Sequence, residues 1–454
     1  MSVLSPLTGR WRWTAALAGI LVGLGWVVVP HLVEPDAGCG DNGSGMITVA
    51  AGTDVSFNTQ RRTLLRVWNE RVRKLNGDPE ARLEEIGSLA DVQRSQMIGA
   101  LQSGGCRYDA LALDLPWIEE FYRRGLLAPL RGFAQEDRHP QAWQAGVRGK
   151  NTYAVPFDSD VALLYYRTGG QRPQSWADID KVPRKAGYEA TYAGQFASYE
   201  GLTVNLLELL WSVDPGGTLE SSPRTIKVVN ELIGRMNRPV FPAVWRESVV
   251  SAEQETTEAF LDGKVLMMRN WPYVYRILAS QENLNPPGRP RLFAVTQLPG
   301  PSVLGGHSLA LARTSPHKDA TRRLIEFLTG SEAQQLLFSC GGFAPSRIGA
   351  LRETSCAQAQ RRLAVPDDER AAPVTGSDNL PEEQLKPLVN ELRKAFEKAR
   401  LRPVSSFYSE YSTTLQCHLY PYLRDRSTFD AAGLRSLRDA LQAALRGTGP
   451  TGCG

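Results

Sequence analysis

Three short strand-like runs, each followed by a polar stretch or by helical spacing, constrain this chain more than anything else in its 454 residues. Met46-Ile-Thr-Val-Ala50 is rich in β-branched residues and is bounded by a glycine-rich stretch and by Gly52. The recurrence of Leu64, Leu65, Val67, Trp68 and Val72 then predicts a helix over about 59–75. Leu83 to Ile86 and Tyr108 to Asp114 read as two more strands, with a helix over about 91–101 between them. Strands alternating with helices imply an α/β fold, a mostly parallel sheet with helices on its faces. The length allows two or three such domains at roughly 150 residues each.

Downstream, a helix is expected from Pro116 to Arg124 and a strand ending in Tyr165-Tyr166. Residues 175–282 read as mostly helical, and Arg291 to Val295 as a returning strand. Helices follow over about 319–328 and 331–338, and two more, about 383–400 and 429–445, close the chain. Between them, residues 353–381 turn polar and read as a long mobile excursion. No internal repeat is visible.

Residues 1–33 stand apart as a signal or anchor segment. Arg10 and Arg12 precede an uncharged run of 17 residues, Trp13 to Val29, and Glu34 and Asp36 follow it, so the rest of the chain is expected outside the cytoplasm. That length suits either a signal peptide or a minimal membrane span. Ala37-Gly38-Cys39 resembles the end of a bacterial lipobox, although Asp36 stands where leucine is usual. Lipidation at Cys39 and an uncleaved helix both remain open, and either would tether the domain to the membrane through the polar residues 34–45.

An exported chain with six cysteines invites a disulfide reading. Cys340 and Cys356 flank a short polar segment and are the favoured pair; if Cys39 is lipidated, at least one of the remaining cysteines is left over. The five histidines are scattered and no Cys-x-x-Cys occurs, so neither a metal nor a cofactor is expected. A net charge of +4, without a basic tract interleaved with aromatics, gives no reason to expect nucleic acid as a partner.

The most informative single stretch is Ala259-Phe-Leu-Asp-Gly-Lys-Val-Leu-Met-Met-Arg-Asn-Trp-Pro-Tyr273. It closes a helix, turns on Gly263, and sends an apolar strand into Trp271, at the strand end where open α/β sheets place ligands. This run resembles the Phe-x-x-Gly-x-x-x-Met-x-x-Trp signature of type 1 extracellular solute-binding proteins, the maltose- and trehalose-binding branch that serves bacterial ABC importers. Tyr153 to Arg167, Tyr199-Glu-Gly-Leu202, Leu304 to Leu309, Gly342 to Arg347 and Arg402-Pro-Val fit the same family in order.

The resemblance implies a two-lobed periplasmic-binding-protein-like fold of class II with a hinge and a cleft between lobes. One lobe is expected from 46–157 with 291–342, the other from 158–290 with 343–447. It also implies a monomer, with a carbohydrate as ligand and an ABC permease as partner, on the outer face of the cell membrane. Sugars need carboxylates in the ring plane and aromatic faces above it. Trp271, Tyr273 and Tyr275 offer the faces; Asp54, Asp114, Asp158, Asp160 and Glu200 offer the acceptors. Asp114 reads either as ligand contact or as a helix N-cap. The resemblance makes Asp160 a contact ahead of Asp158, and brings Arg402 toward the ligand and Arg347 to the hinge. Gly305-Gly306 permits close backbone approach or makes a turn. His307 departs from the family's frequent tryptophan, so disaccharide specificity does not transfer. A glycoside hydrolase, using paired carboxylates, and a sensor that has lost import are the alternatives.

Overall fold

The computed structural model describes residues 45–449, apart from 76, 88, 103, 171, 183–186, 237–251, 366–379 and 381. Strand periodicity sorts the first core into two layers. Ile47 and Val49 of the strand Ile47–Ala51, with Ala110 and Ala112 of Ala110–Asp114, pack in one layer with Leu64, Leu65 and Trp68 of the helix Gln60–Leu75. Ala50, Leu111 and Leu113 fall in the opposite layer with Met97 and Leu101 of the helix Ala90–Gln102.

Ala81–Glu85, Ile47–Ala51, Ala110–Asp114, His307–Ala312 and Leu127–Ala128 lie in that order in a six-stranded sheet, with Ala154–Pro156 also paired to His307–Ala312. A second sheet runs Ala190–Ala193, Val265–Asn270, Leu163–Arg167, Phe293–Gln297. Both are mixed where alternation predicted mostly parallel sheets. His307–Ala312 is antiparallel to its neighbours in the first sheet, and Leu163–Arg167 to both of its neighbours in the second. These are the strands by which the chain enters each sheet from the other, so no helical crossover sets their direction.

Three segments cross between the sheets side by side. Asp160–Val161 pairs with Leu304–Gly305, and Val303 pairs in turn with Arg400, where Leu304 N donates to Arg400 O at 2.7 Å. Two expected boundaries move as a result. Phe293–Gln297 sits in the second sheet, not with the first, because a short strand carries no mark of which sheet it joins. Ala359, Leu363 and Val365 pack in the first core with Leu336 and Leu337, so residues just past 343 stay with that body.

The stretch expected as one mobile excursion from 353 opens with a helix, Cys356–Leu363, capped by Ser355 and tied by the Cys340–Cys356 disulfide. The rest of that excursion, residues 366–379, lies outside the described residues. A helix that the sequence pattern does not mark, Tyr408–Asp425, packs against Glu200–Val213 and Ala431–Leu445. Among the described residues no cysteine is free, and no helix is long and apolar enough to cross a membrane. The segment 1–33, Cys39 and Cys453 lie outside them.

Candidate functional site

The Ala252–Leu261 helix ends as its sequence suggested. Gly263 takes φ +72°, Lys264 N donates to Ala259 O at 2.9 Å and Gly263 N to Phe260 O at 3.2 Å, a Schellman closure that aims the fully buried strand Val265–Asn270. Asn270 then fixes the strand's end, its Oδ1 accepting from Trp271 N at 2.8 Å while its Nδ2 donates to Thr256 and Thr257. Tyr165 donates to Trp271 O at 2.9 Å.

Arg269 and Trp271 are two apart and share a face. The guanidinium lies 3.9 Å from the indole centroid and is itself held by Glu208 through two bonds of 3.0 Å and by Gln195 at 3.0 Å. One face of Trp271 is therefore backed by a rigid, charge-balanced support, and the ring stays partly exposed. Tyr273 and Tyr275 do not offer comparable faces. Tyr275 is wholly buried against Phe293, and Tyr273 is nearly buried and stacks on Phe343 at 5.9 Å.

Asp158, Asp160 and His307 are brought together at the crossing segments. Gly306 takes φ +105°, and a Cβ there would stand 2.5 Å from Asp158 O, so only glycine lets these strands approach. His307 N donates to Asp158 Oδ1 at 2.7 Å, the His307 ring nitrogen Nδ1 lies 3.0 Å from the same oxygen, and Arg61 reaches Oδ2 at 3.2 Å. Burial alone would raise the Asp158 pKa, but His307 and Arg61 outweigh it and hold the carboxyl below its ordinary range. Burial likewise opposes the charge on His307, and Asp158 overcomes it, holding the imidazole above its usual value.

Asp160 differs. It is 8% exposed and its Oδ1 is buried without a hydrogen-bond partner. Burial first and the neighbouring Asp158 charge second push its pKa up to about 7. Trp271 is close by: a Cβ placed on Gly305 would lie 3.5 Å from Asp160 Cβ and 3.7 Å from the indole edge.

The remaining acidic candidates are already engaged. Asp54 caps the helix Gln60–Leu75, accepting from Ser56 N, Arg61 N and Arg62 N. Asp114 is indeed an N-cap, accepting from Leu115 N at 2.8 Å, and also takes a two-pronged Arg402 contact. Arg402 donates to Glu200 as well at 2.9 Å, and Tyr408 and Ser412 complete the Glu200 shell. Asp114 ends a strand of the first sheet and Glu200 begins a helix beside the second, so Arg402 joins the two bodies. Its Nε remains buried without a partner. Arg347 bridges Glu136 and Asp137 and donates to Thr329 O at 2.8 Å. No group of potential metal ligands occurs among the described residues.

Residues 59–335 match the family of bacterial extracellular solute-binding proteins. The chain belongs to that family. Over 349 residues it is 26% identical to a probable ABC transporter-binding protein of Deinococcus radiodurans, a match that covers 71% of this chain and 78% of the relative. Maltose-bound MalE3 of T. maritima superposes with a TM-score of 0.70 at 22% identity, covering 87% of this chain and 99% of the other. UgpB from Mycobacterium tuberculosis, in complex with glycerophosphocholine, does so at 0.68 and 18% identity, covering 89% and 99%. The fold is thus the α/β periplasmic-binding-protein fold, here with mixed sheets flanked by helices. The family consists of extracytoplasmic receptors rather than enzymes, which sets the hydrolase alternative aside.

Proposed function

We propose that this protein is the substrate-binding component of an ABC importer and captures a carbohydrate in a cleft between two lobes. The lobes are residues 45–157 with 306–365 and residues 163–303 with 382–449, and the segments around 158–162, 304–305 and 399–404 form the hinge. The observation that carries the reading is Trp271, partly exposed on its Arg269–Glu208 support, beside Gly305 with Asp160, whose Oδ1 is unpartnered. An indole face covers the weakly apolar face of a sugar ring, and hydroxyls both donate and accept, matching Asp160 Oδ1 and Arg402 Nε. The maltose carried by the T. maritima relative is consistent with this chemistry; the glycerophosphocholine carried by UgpB is the competing one. The N-terminal segment, through its helix or a lipid on Cys39, would hold the monomeric protein at the outer membrane face beside its permease.

A thermal-shift screen of mono-, di- and oligosaccharides, with glycerophosphodiesters in parallel, tests the reading. A ligand that binds only the folded state raises the melting temperature with its concentration. Stabilisation by at least one carbohydrate is expected. Stabilisation by glycerophosphodiesters alone, or by no carbohydrate, would contradict it.

A further inference from the structure

The charges around Asp160 and Trp271 select among carbohydrates. Among the described residues of this cluster, each arginine already meets a carboxylate of the protein: Arg61 meets Asp158, which it shares with His307, Arg269 meets Glu208, and Arg402 meets Asp114 and Glu200 together. His307 is spent on Asp158. Arg402 Nε can still donate to a ligand oxygen, but the charge of each of these arginines already faces a carboxylate of the protein, while Asp160 Oδ1 remains buried and unpartnered. A further acid, Glu253, lies within electrostatic reach of Tyr199, Tyr273 and Arg269. Carboxylates therefore outnumber cations in the cluster, and aromatic rings interleave with them. Acids beside aromatic faces favour a positive charge, by direct Coulomb attraction and by cation–π contact.

We propose that the ligand is an aminated carbohydrate, whose ammonium group pairs with Asp160 beside Trp271. This rests on the carbohydrate reading above and narrows it. The charged groups that face Asp160 are Asp158, His307, Arg61 and Asp114, with the Tyr165 and Tyr273 hydroxyls also within electrostatic reach, and the opposing charges leave burial as its main influence. Near neutral pH the empty site is then partly protonated. An ammonium ligand draws the proton off Asp160, whereas a neutral sugar does not. Binding of the amine should release a proton to solvent, and its affinity should fall as acid protonates Asp160.

The test is calorimetric titration of the whole extracytoplasmic domain with matched probes. These are glucosamine and its β-1,4 oligomers, their N-acetylated forms, the corresponding glucose oligomers, and gluconate. At pH 7 the aminated series should bind on the order of tenfold tighter than the matched neutral series, with gluconate weakest. At pH 5 the amines stay charged but Asp160 does not, so the preference should shrink by a similar factor. Titrations in buffers of different ionisation heat should reveal proton exchange for amines only: release from Asp160, offset near neutral pH by uptake on that fraction of the free amine that is uncharged, with release dominating at lower pH where the free amine is fully charged. Asp160→Asn should abolish both the preference and its pH dependence; the wild-type pH series stands independently if that variant misfolds. Equal or tighter binding of the neutral or anionic series would overturn the amine proposal and leave the carbohydrate reading standing. Binding of none of the probes, together with a negative saccharide screen, would overturn both.

Discussion

Asp160 is kept in its place against its own stability. Its pKa in the fold is about 7 against an ordinary carboxylate value of 3.8, so the folded protein binds this proton more tightly than the unfolded chain. The associated stability is complete below about pH 4 and is lost as pH rises from there through about 7. The loss reaches up to several kcal/mol, at ~1.4 kcal/mol for each tenfold difference in proton affinity between the folded and unfolded chain. Asp160→Asn should therefore stabilise the protein at pH 8 and do little at pH 4, as read by denaturant midpoints at both. The Asp158–His307 pair behaves differently. The His307 pKa is raised, so its contribution is full below about 6.5 and is lost as pH rises through the raised value; the depressed Asp158 loses its contribution only as pH falls through its own low value. His307→Gln should flatten the alkaline loss of stability and also shrink the acid limb, because His307 is the largest of the influences that hold Asp158 low and only Arg61 then remains to do so. Trp271→Ala should cost less than the roughly 3–5 kcal/mol of a buried tryptophan, because the ring is partly exposed, while on the proposed reading affinity for a sugar that binds the wild type falls at least about tenfold. Melting temperature and affinity measured side by side decide this.

At the scale of elements, the disulfide joins the end of the helix Ser331–Ser339 to the start of Cys356–Leu363 across 16 residues of sequence. Closing a loop of that length is worth about 3 kcal/mol, so Cys340→Ser with Cys356→Ser should lower unfolding stability by about 2–4 kcal/mol in urea melts. Elements with strong apolar period were legible in the sequence: the helix Gln60–Leu75, the strand Ala110–Asp114 and the Gly263 closure lie where spacing put them, within a few residues. The helix Tyr408–Asp425 was not, because its tyrosines, serines, threonines and Pro421 favour it weakly and packing against two other helices overrides that preference. Its Tyr408 and Ser412, which hold Glu200, were missed with it. Arg269 was readable in principle, since it alternates with Trp271 along one strand face. Arg61 was not, because its partner Asp158 lies 97 residues away. The acidic candidates were recognised as types, yet only contact geometry separates the occupied Asp54, Asp114, Asp158 and Glu200 from the unpartnered Asp160.

For the whole molecule, the proposed mechanism depends on two bodies joined through adjacent crossing segments, with Arg402 spanning from Asp114 to Glu200 at that seam. A ligand that touches both bodies binds the closed arrangement better and shifts the population toward it, by no more than its differential affinity. Hinged closure of this kind is known for periplasmic binding proteins as a class. Small-angle scattering of the extracytoplasmic domain, with and without the sugar that most raises its melting temperature, tests this closure most directly. A smaller radius of gyration is expected with the sugar bound. A saturating, confirmed sugar that leaves the scattering curve unchanged would contradict capture by closure.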